Sequence, residues 1–190
     1  MTALPPLETE RLIVRPFAMD DFESKQRLDH AVWGAVTGES QREFLQWADL
    51  NHRQLANLYQ PPYGDRAIVL KATGEVIGSV GIVPTMIPWG VLTSTQDAAS
   101  AADPANALVS PEMGLFWAVH PDYQGKGYAT EAARIVVDIM FQRRLKRWVA
   151  TTEYENHASQ AVMRKLGMTL ERNQFEQPHW CQIVGVLENR

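Results

Sequence analysis

The sequence predicts a mixed α+β fold, a single sheet with helices on both faces, and three observations predict it. Ala67–Ala72 and Glu75–Val83 are strand-like runs on either side of Thr73–Gly74, the pattern of a hairpin. Phe116–Ala133, FWAVHPDYQGKGYATEAA, reads as the end of a strand, a tight glycine-containing loop and the first turns of a helix. The helix expected over Tyr128–Arg143 has a narrow polar stripe of Glu131, Arg134, Asp138 and Gln142, while Ala132, Ile135, Val136, Ile139 and Met140 fall elsewhere. So wide an apolar surface belongs to a helix that is mostly buried against a sheet. Strands that occur both as a hairpin and around helices give the mixed class.

The remaining elements follow in order. Arg11–Phe17, RLIVRPF, reads as a first strand closed by Pro16. Met19–Val32 has a modest helical pattern with Asp20 or Asp21 as N-cap. A clearer helix is expected from Ser40, because Ser40 and Glu43 form a capping box and Phe44, Leu45, Trp47, Ala48, Leu55 and Leu58 make an apolar stripe. Pro61, Pro62 and Gly64 end it. In the second hairpin strand, Gly78 and Gly81 mark bulges or a close approach of backbone.

Pro84–Pro111 is irregular and contains the tract STQDAASAADPANA, which predicts a mobile loop, either a flap over a substrate or a tolerated insertion. Glu112–Val119 reads as a central strand and Arg147–Thr152 as a short buried one. A helix from about His157 to Leu166 should stop at Gly167, and Thr169–Phe175 and Trp180–Leu187 close the chain as strands. That makes about seven strands. With no internal repeat or linker in view, residues 1–190 are expected to form one domain.

Composition narrows the partners. Apolar residues are 45% and charged residues 21% of the chain, an ordinary globular balance. A net charge of −4 without a long basic run argues against nucleic acid as the main partner. Met1–Glu10 carries two prolines and two acids, so no secretory signal peptide is expected. No apolar run is long enough to span a bilayer. Cys181 is the single cysteine, which excludes an internal disulfide and fits a reducing, cytoplasmic setting. The five histidines show no metal-ligand spacing, no GxSxG elbow occurs, and no metal is expected. His120 before Pro121 reads as a turn residue, and Cys181 as a small core residue.

The loop after Val119 is where chemistry is expected. Backbone N–H groups at a helix N-terminus bind phosphate, Gly125 and Gly127 allow positive φ and close approach, and Lys126 adds charge. An ordinary strand–turn–helix connection is the bland alternative. Two known phosphate loops do not match. A P-loop needs Gly where His120 stands and Ser or Thr after its GK pair. A dinucleotide fingerprint needs Gly or Ala where Thr130 stands.

What does match is Gln124-x-x-Gly127-x-Ala129, which resembles the acyl-CoA pyrophosphate loop of the GCN5-related N-acetyltransferases, the GNAT superfamily. ENHASQAVMRKLGM resembles the second signature of the superfamily, while QGKGYATEA after EMGLFWAVHP and the opening LETERL are most similar to the branch with the ribosomal-protein acetyltransferases RimJ and RimL. The resemblance implies a GNAT fold with a mostly antiparallel sheet, and acetyl transfer from acetyl-CoA to a primary amine by direct attack in a ternary complex. It implies that Gln124, Gly125, Lys126, Gly127, Tyr128 and Ala129 ring the pyrophosphate. Val119 would hydrogen-bond the pantetheine arm and supply the oxyanion donor, and Asn156 would touch CoA.

Catalytic candidates follow from the same resemblance and from chemistry. The amine must lose a proton, and Glu112, on a strand among Met113, Leu115 and Phe116, is the leading base, because desolvation would raise its pKa. An exposed strand-end glutamate is the alternative. Ser159 is a candidate acid for the departing thiolate, although Asn156 and Ser159 also read as an N-cap and its N3 partner. Met163 replaces the tyrosine that many relatives use as acid, and Tyr154 is a substitute candidate or simply packing. Trp33, Trp47 and Trp89 could line a substrate pocket. The acceptor stays open between a protein N-terminus and a small molecule, and the oligomeric state stays open, a homodimer included. A non-catalytic acyl-CoA sensor of the same fold and a structural protein without CoA binding are the rival functions.

Overall fold

The computed structural model describes residues 4–92, 94–95, 103 and 107–189. Its strands are β1 (Leu7–Glu8), β2 (Leu12–Pro16), β3 (Gly64–Leu70), β4 (Glu75–Pro88), β5 (Val109–Val119), β6 (Arg147–Thr152), β7 (Thr169–Arg172) and β8 (Ile183–Glu188). Its helices are α1 (Phe22–Trp33), α2 (Gly38–Asn57), α3 (Tyr128–Gln142) and α4 (His157–Leu166). The strands form a mixed, mostly antiparallel sheet in the order β1-β2-β3-β4-β5-β6-β8-β7. The eighth strand, beyond the seven expected, is the two-residue β1 inside LETERL. Two compact units make up the chain, Met1–Val83 with Phe116–Ile139, and Pro84–Leu115 with Met140–Arg190.

In the first unit, β3 and β4 form the expected hairpin, closed by Gly74 at φ 73° with its N–H on the Leu70 carbonyl at 2.8 Å. Ile68 pairs with Gly78 but Val69 with Val76, so Ile77 is an extra residue, a β-bulge. Gly78 is a close-approach glycine, since a Cβ there would lie 2.4 Å from the Ala118 carbonyl oxygen. Phe17, Leu45, Ala67, Val69 and Val76 form a core with Ile13, Phe22 and Phe44 packed against it.

Both early helices begin differently from expectation. Thr37, not Ser40, caps α2, and its hydroxyl accepts the Ser40 N–H at 3.2 Å. The Ser40–Glu43 pair therefore sits one turn inside the helix, with the Ser40 hydroxyl donating to the Thr37 carbonyl at 3.1 Å. Asp21 precedes α1, but its carboxylate is taken by the Ala18 N–H at 2.8 Å and by both terminal nitrogens of Arg15 at 2.7 Å. It ties β2 to the helix instead of capping it.

In the second unit, β6 pairs antiparallel with β8 along its whole length, and β8 with β7. The parallel pairing of β5 and β6 is confined to Gly114↔Val149. Ile87, Val91, Leu92, Ala107, Val149, Cys181 and Val184 make the core. The irregular segment is thus anchored at both ends rather than looped throughout: β4 continues to Pro88, Leu92 bridges to Asn173, and β5 begins at Val109. Alternating apolar residues are few in PTMIP, which is why the sequence hid the strand's continuation. Most of the Ala/Ser/Asp tract, 96–102 and 104–106, lies outside the described residues, and with it the flap reading.

α3 buries Ala132, Ala133, Val136, Val137 and Met140, a helical spacing. α4 stops at Gly167 (φ 91°) as expected. β7 and β8 are shorter than expected because buried Asn173 turns the chain: its amide donates to the Gln177 and Cys181 carbonyls at 3.0 and 3.2 Å, and its oxygen accepts the Phe175 N–H at 2.8 Å. No described helix is long and apolar enough to cross a membrane.

Candidate functional site

The loop between β5 and α3 is built from its backbone. His120 donates its N–H to the Ile77 carbonyl at 2.9 Å. N–H directions alternate along a strand, so the Val119 N–H faces away from β4. The Gln124 side chain donates to the Val119 carbonyl at 2.9 Å, which joins two of the expected site residues. His120 is a turn residue, its Nδ1 accepting the Asp122 N–H at 3.3 Å. Gly125 and Gly127 both take positive φ, 74° and 85°. Among the described residues, the N–H groups of Gly125, Lys126 and Gly127 donate to no protein acceptor. Tyr128 and Ala129 open α3, where N–H groups lack intrahelical partners. A Cβ on Gly125 would meet nothing within 4 Å. Five consecutive donors, open space and a helix N-terminus fit a pyrophosphate. The Lys126 ammonium donates to the Asp122 carbonyl at 2.9 Å and lies over the Tyr123 ring.

Two clamps, neither read from the sequence, fix this loop. Glu131 accepts from Thr9 Oγ1 at 2.6 Å, from the Arg11 N–H at 3.1 Å and from Arg11 Nε at 2.7 Å. Burial pushes its pKa up, but these bonds from Thr9 and Arg11 outweigh burial and hold it below the ordinary value. Tyr123 donates to Glu75 at 2.5 Å, and Glu75 is paired with Arg27 at 2.7 Å. The signal for the first clamp was an acid, Glu131, placed within the first turns of a mostly apolar helix.

The catalytic candidates lie in the second unit. The Glu112 side chain is 7% exposed and pairs with Arg147, whose Nε donates at 2.8 Å and whose Nη2 makes a second, shorter contact. The Ser110 hydroxyl and Trp89 Nε1 donate to the same carboxylate at 3.0 and 3.1 Å, and Arg147 stacks over the Trp89 ring. Gly114↔Val149 in parallel register brings Glu112 beside Arg147 two residues earlier. The expected upward pKa shift is therefore corrected. Burial does push Glu112 up, but hydrogen bonds from Arg147, Ser110 and Trp89, with the Arg147 charge, carry it below the ordinary value. Such a carboxylate is a weak proton acceptor at neutral pH.

This pair sets a stability prediction. Glu112→Gln should cost roughly 1–3 kcal/mol, less than a fully buried pair because Arg147 remains 34% exposed. A folded pKa held low means the carboxylate's contribution is complete above the unfolded pKa of about 4.3 and fades as pH falls through the lower folded value. Urea unfolding of both proteins from pH 7 to pH 3 should show the gap closing at the acid end. A constant gap would show that the charge contributes nothing.

Tyr154 stands where its hydroxyl meets the Asn173 and Phe175 carbonyls at 2.6 and 3.0 Å, so its proton is engaged by backbone, and Arg172 lies over its ring. Asn156 caps α4, accepting the Ser159 N–H at 3.0 Å. The half-buried Ser159 hydroxyl has no protein partner among the described residues. Met163 is buried core. Cys181 is fully buried, and burial pushes its thiol up to about 11. Trp33 stacks on Phe116 at 6.1 Å while 55% exposed, and Trp47 is 53% exposed. Among the described residues, no group of three or more His, Cys, Asp or Glu is placed to hold a metal.

A strand-end amide, a glycine loop with unused N–H groups and a helix start thus lie consecutively in the chain. The family model for the acetyltransferase (GNAT) domain matches residues 11–169, and the chain belongs to this family. The uncharacterised N-acetyltransferase YnaD of Bacillus subtilis strain 168 is 45% identical over 56 residues, 29% of this chain. That match spans a third of the relative's length, 33%. The acetyltransferase of Agrobacterium tumefaciens strain C58 is 26% identical, with a TM-score of 0.65 over 99% of this chain and 96% of its own. RimL, the ribosomal L7/L12 α-N-protein acetyltransferase, solved in complex with coenzyme A, shares the fold at 15% identity, with a TM-score of 0.63 over 95% of each chain.

Proposed function

We propose that residues 1–190 act as one acetyltransferase domain that moves the acetyl group of acetyl-CoA to a primary amine, by preference the α-amine of a protein N-terminus. The observation that carries the acetyl-CoA assignment is the row of N–H groups from Gly125 to Ala129, left unused by the protein around glycines at positive φ. Gln124, Gly125, Lys126, Gly127, Tyr128 and Ala129 hold the pyrophosphate in this reading, and Asn156 lies along CoA.

The reaction forms the N–C bond and breaks the C–S bond of the thioester, directly between the two substrates. Val119 N–H stabilises the oxyanion. Ser159, whose hydroxyl is unengaged, passes its proton to the thiolate and takes one back from the water that receives the amine proton, a role that suits it better than Tyr154, whose proton lies on backbone carbonyls. Glu112, with its depressed pKa, is assigned to holding β5 beside β6, and the amine proton leaves to water. Without a strong base the acceptor must be partly neutral on arrival. An α-amine, pKa about 7.7–8.0, meets this near pH 8, where a lysine, about 10.4, is almost wholly charged. The RimL neighbour, named for α-N-protein acetylation, agrees in acceptor class.

Binding to the native state alone adds about 2.7 kcal/mol at a hundredfold excess over Kd, so acetyl-CoA should raise Tm by roughly 5–10 °C. Mass-detected turnover should then favour a peptide with a free N-terminus over its Nα-blocked, lysine-containing counterpart and over a polyamine. A thermal shift without turnover on any amine would favour a non-catalytic acyl-CoA binder. No shift at millimolar acetyl-CoA would remove the reading altogether.

A further inference from the structure

The Lys126–Gly127 peptide borders a glycine, so it turns more freely than an ordinary peptide. Turning it rotates Lys126 ψ and Gly127 φ, and Gly127, at φ 85°, accepts either sign of φ. A flip of this peptide would replace an N–H with a carbonyl oxygen and face that oxygen toward bound phosphate. One contact opposes the flip: Arg11 Nη1 donates to the Lys126 carbonyl at 3.1 Å. In a trans planar peptide the C=O and N–H point in opposite directions. Holding the Lys126 oxygen toward Arg11 therefore aims the Gly127 N–H away from it, among the other free donors.

Arg11 is itself held. Its Nε and Nη2 lie 2.7 and 2.5 Å from Glu131 Oε2, its backbone N–H lies 3.1 Å from Oε1, and its guanidinium covers the Tyr128 ring at 4.5 Å. Thr9 fixes the far oxygen of Glu131 at 2.6 Å. Glu131 is 18% exposed, and its charge is matched by Arg11 instead of facing an anion at the helix start.

We propose that Arg11, set by Glu131 and Thr9, is a positioning residue that locks the Lys126–Gly127 peptide with its N–H toward the pyrophosphate of acetyl-CoA. This rests on reading the loop as the pyrophosphate site. An arginine is required because one planar fork spans both the carboxylate and the carbonyl; lysine reaches one of them.

The test compares acetyl-CoA with S-acetylpantetheine, a thioester without the pyrophosphate, in wild type, Arg11→Met and Arg11→Lys. Calorimetry gives Kd for acetyl-CoA, steady-state kinetics gives kcat and KM for each thioester, and circular dichroism with Tm reports folding. Arg11→Met should raise Kd and KM for acetyl-CoA about 10–100-fold. It should lower kcat/KM for S-acetylpantetheine by no more than about threefold, and Arg11→Lys should show the same split with a smaller loss. Unchanged acetyl-CoA binding in a folded variant, or equal losses with both thioesters, overturns the lock. If Arg11→Met does not fold, Arg11→Lys decides by the same split. Wild type that binds no acetyl-CoA overturns the loop reading itself, a failure distinguishable because it appears before any substitution.

Discussion

Gly127→Val should remove measurable acetyl-CoA binding, a loss of at least about 100-fold, from a protein that still folds. The reason is conformational rather than a clash. A Cβ at Gly127 would meet only Arg11 Nη2 at 3.5 Å, an ordinary contact. But φ is 85°, and a β-branched residue there is strained by about 1–3 kcal/mol. The loop relieves that strain by abandoning the positive φ, which disperses the row of N–H groups. The lost charge-assisted bonds, each worth about 1.5–3 kcal/mol, set the size of the effect. Circular dichroism establishes the fold and calorimetry reads the affinity. Normal binding by the folded variant would show that the loop does not hold the ligand.

Gly78→Val should have the largest effect on stability. Its Cβ would lie 2.4 Å from the Ala118 carbonyl oxygen, 3.2 Å from Val119 Cα and 3.3 Å from Ile68 Cδ1. The first two are backbone, in the strand whose end supplies the Val119 amide, so the obstruction cannot be relieved by a rotamer change. Overpacking of this kind costs about 3 kcal/mol or more, a Tm drop of roughly 6–12 °C. Gly74→Ala is the comparison: its Cβ meets nothing within 4 Å, so only its φ of 73° is strained, and its loss should be about a third as large. Thermal unfolding of both variants checks the ranking, and equal losses would show that close packing at Gly78 is not what matters.

The loop was legible because its chemistry is local. Two glycines, a glutamine five residues after Val119 and a helix start are all consecutive in the chain, and the structure reproduces each. The Asn156 cap and the Gly167 stop were legible for the same reason. What was not legible depends on residues far apart. Glu131 meets Arg11 across 120 positions, and Glu112 meets Arg147 across 35. Burial of Glu112 was read correctly, but the partner that reverses its pKa comes from a strand whose register no local pattern reports. The α2 start was missed for a subtler reason: the capping-box spacing of Ser40 and Glu43 pointed to Ser40, while Thr37, an equally good cap one turn earlier, takes the position.

The fully buried Cys181 thiol, the single thiol of the chain, has a consequence of its own. With its pKa near 11, it is both sheltered and protonated in the native state, so an alkylating or disulfide reagent can reach it only during an opening of the core around Val149 and Val184. Labelling kinetics at this one sulfur then amount to a clock for transient exposure of the second unit. They need no engineered probe and are read by mass as a single adduct.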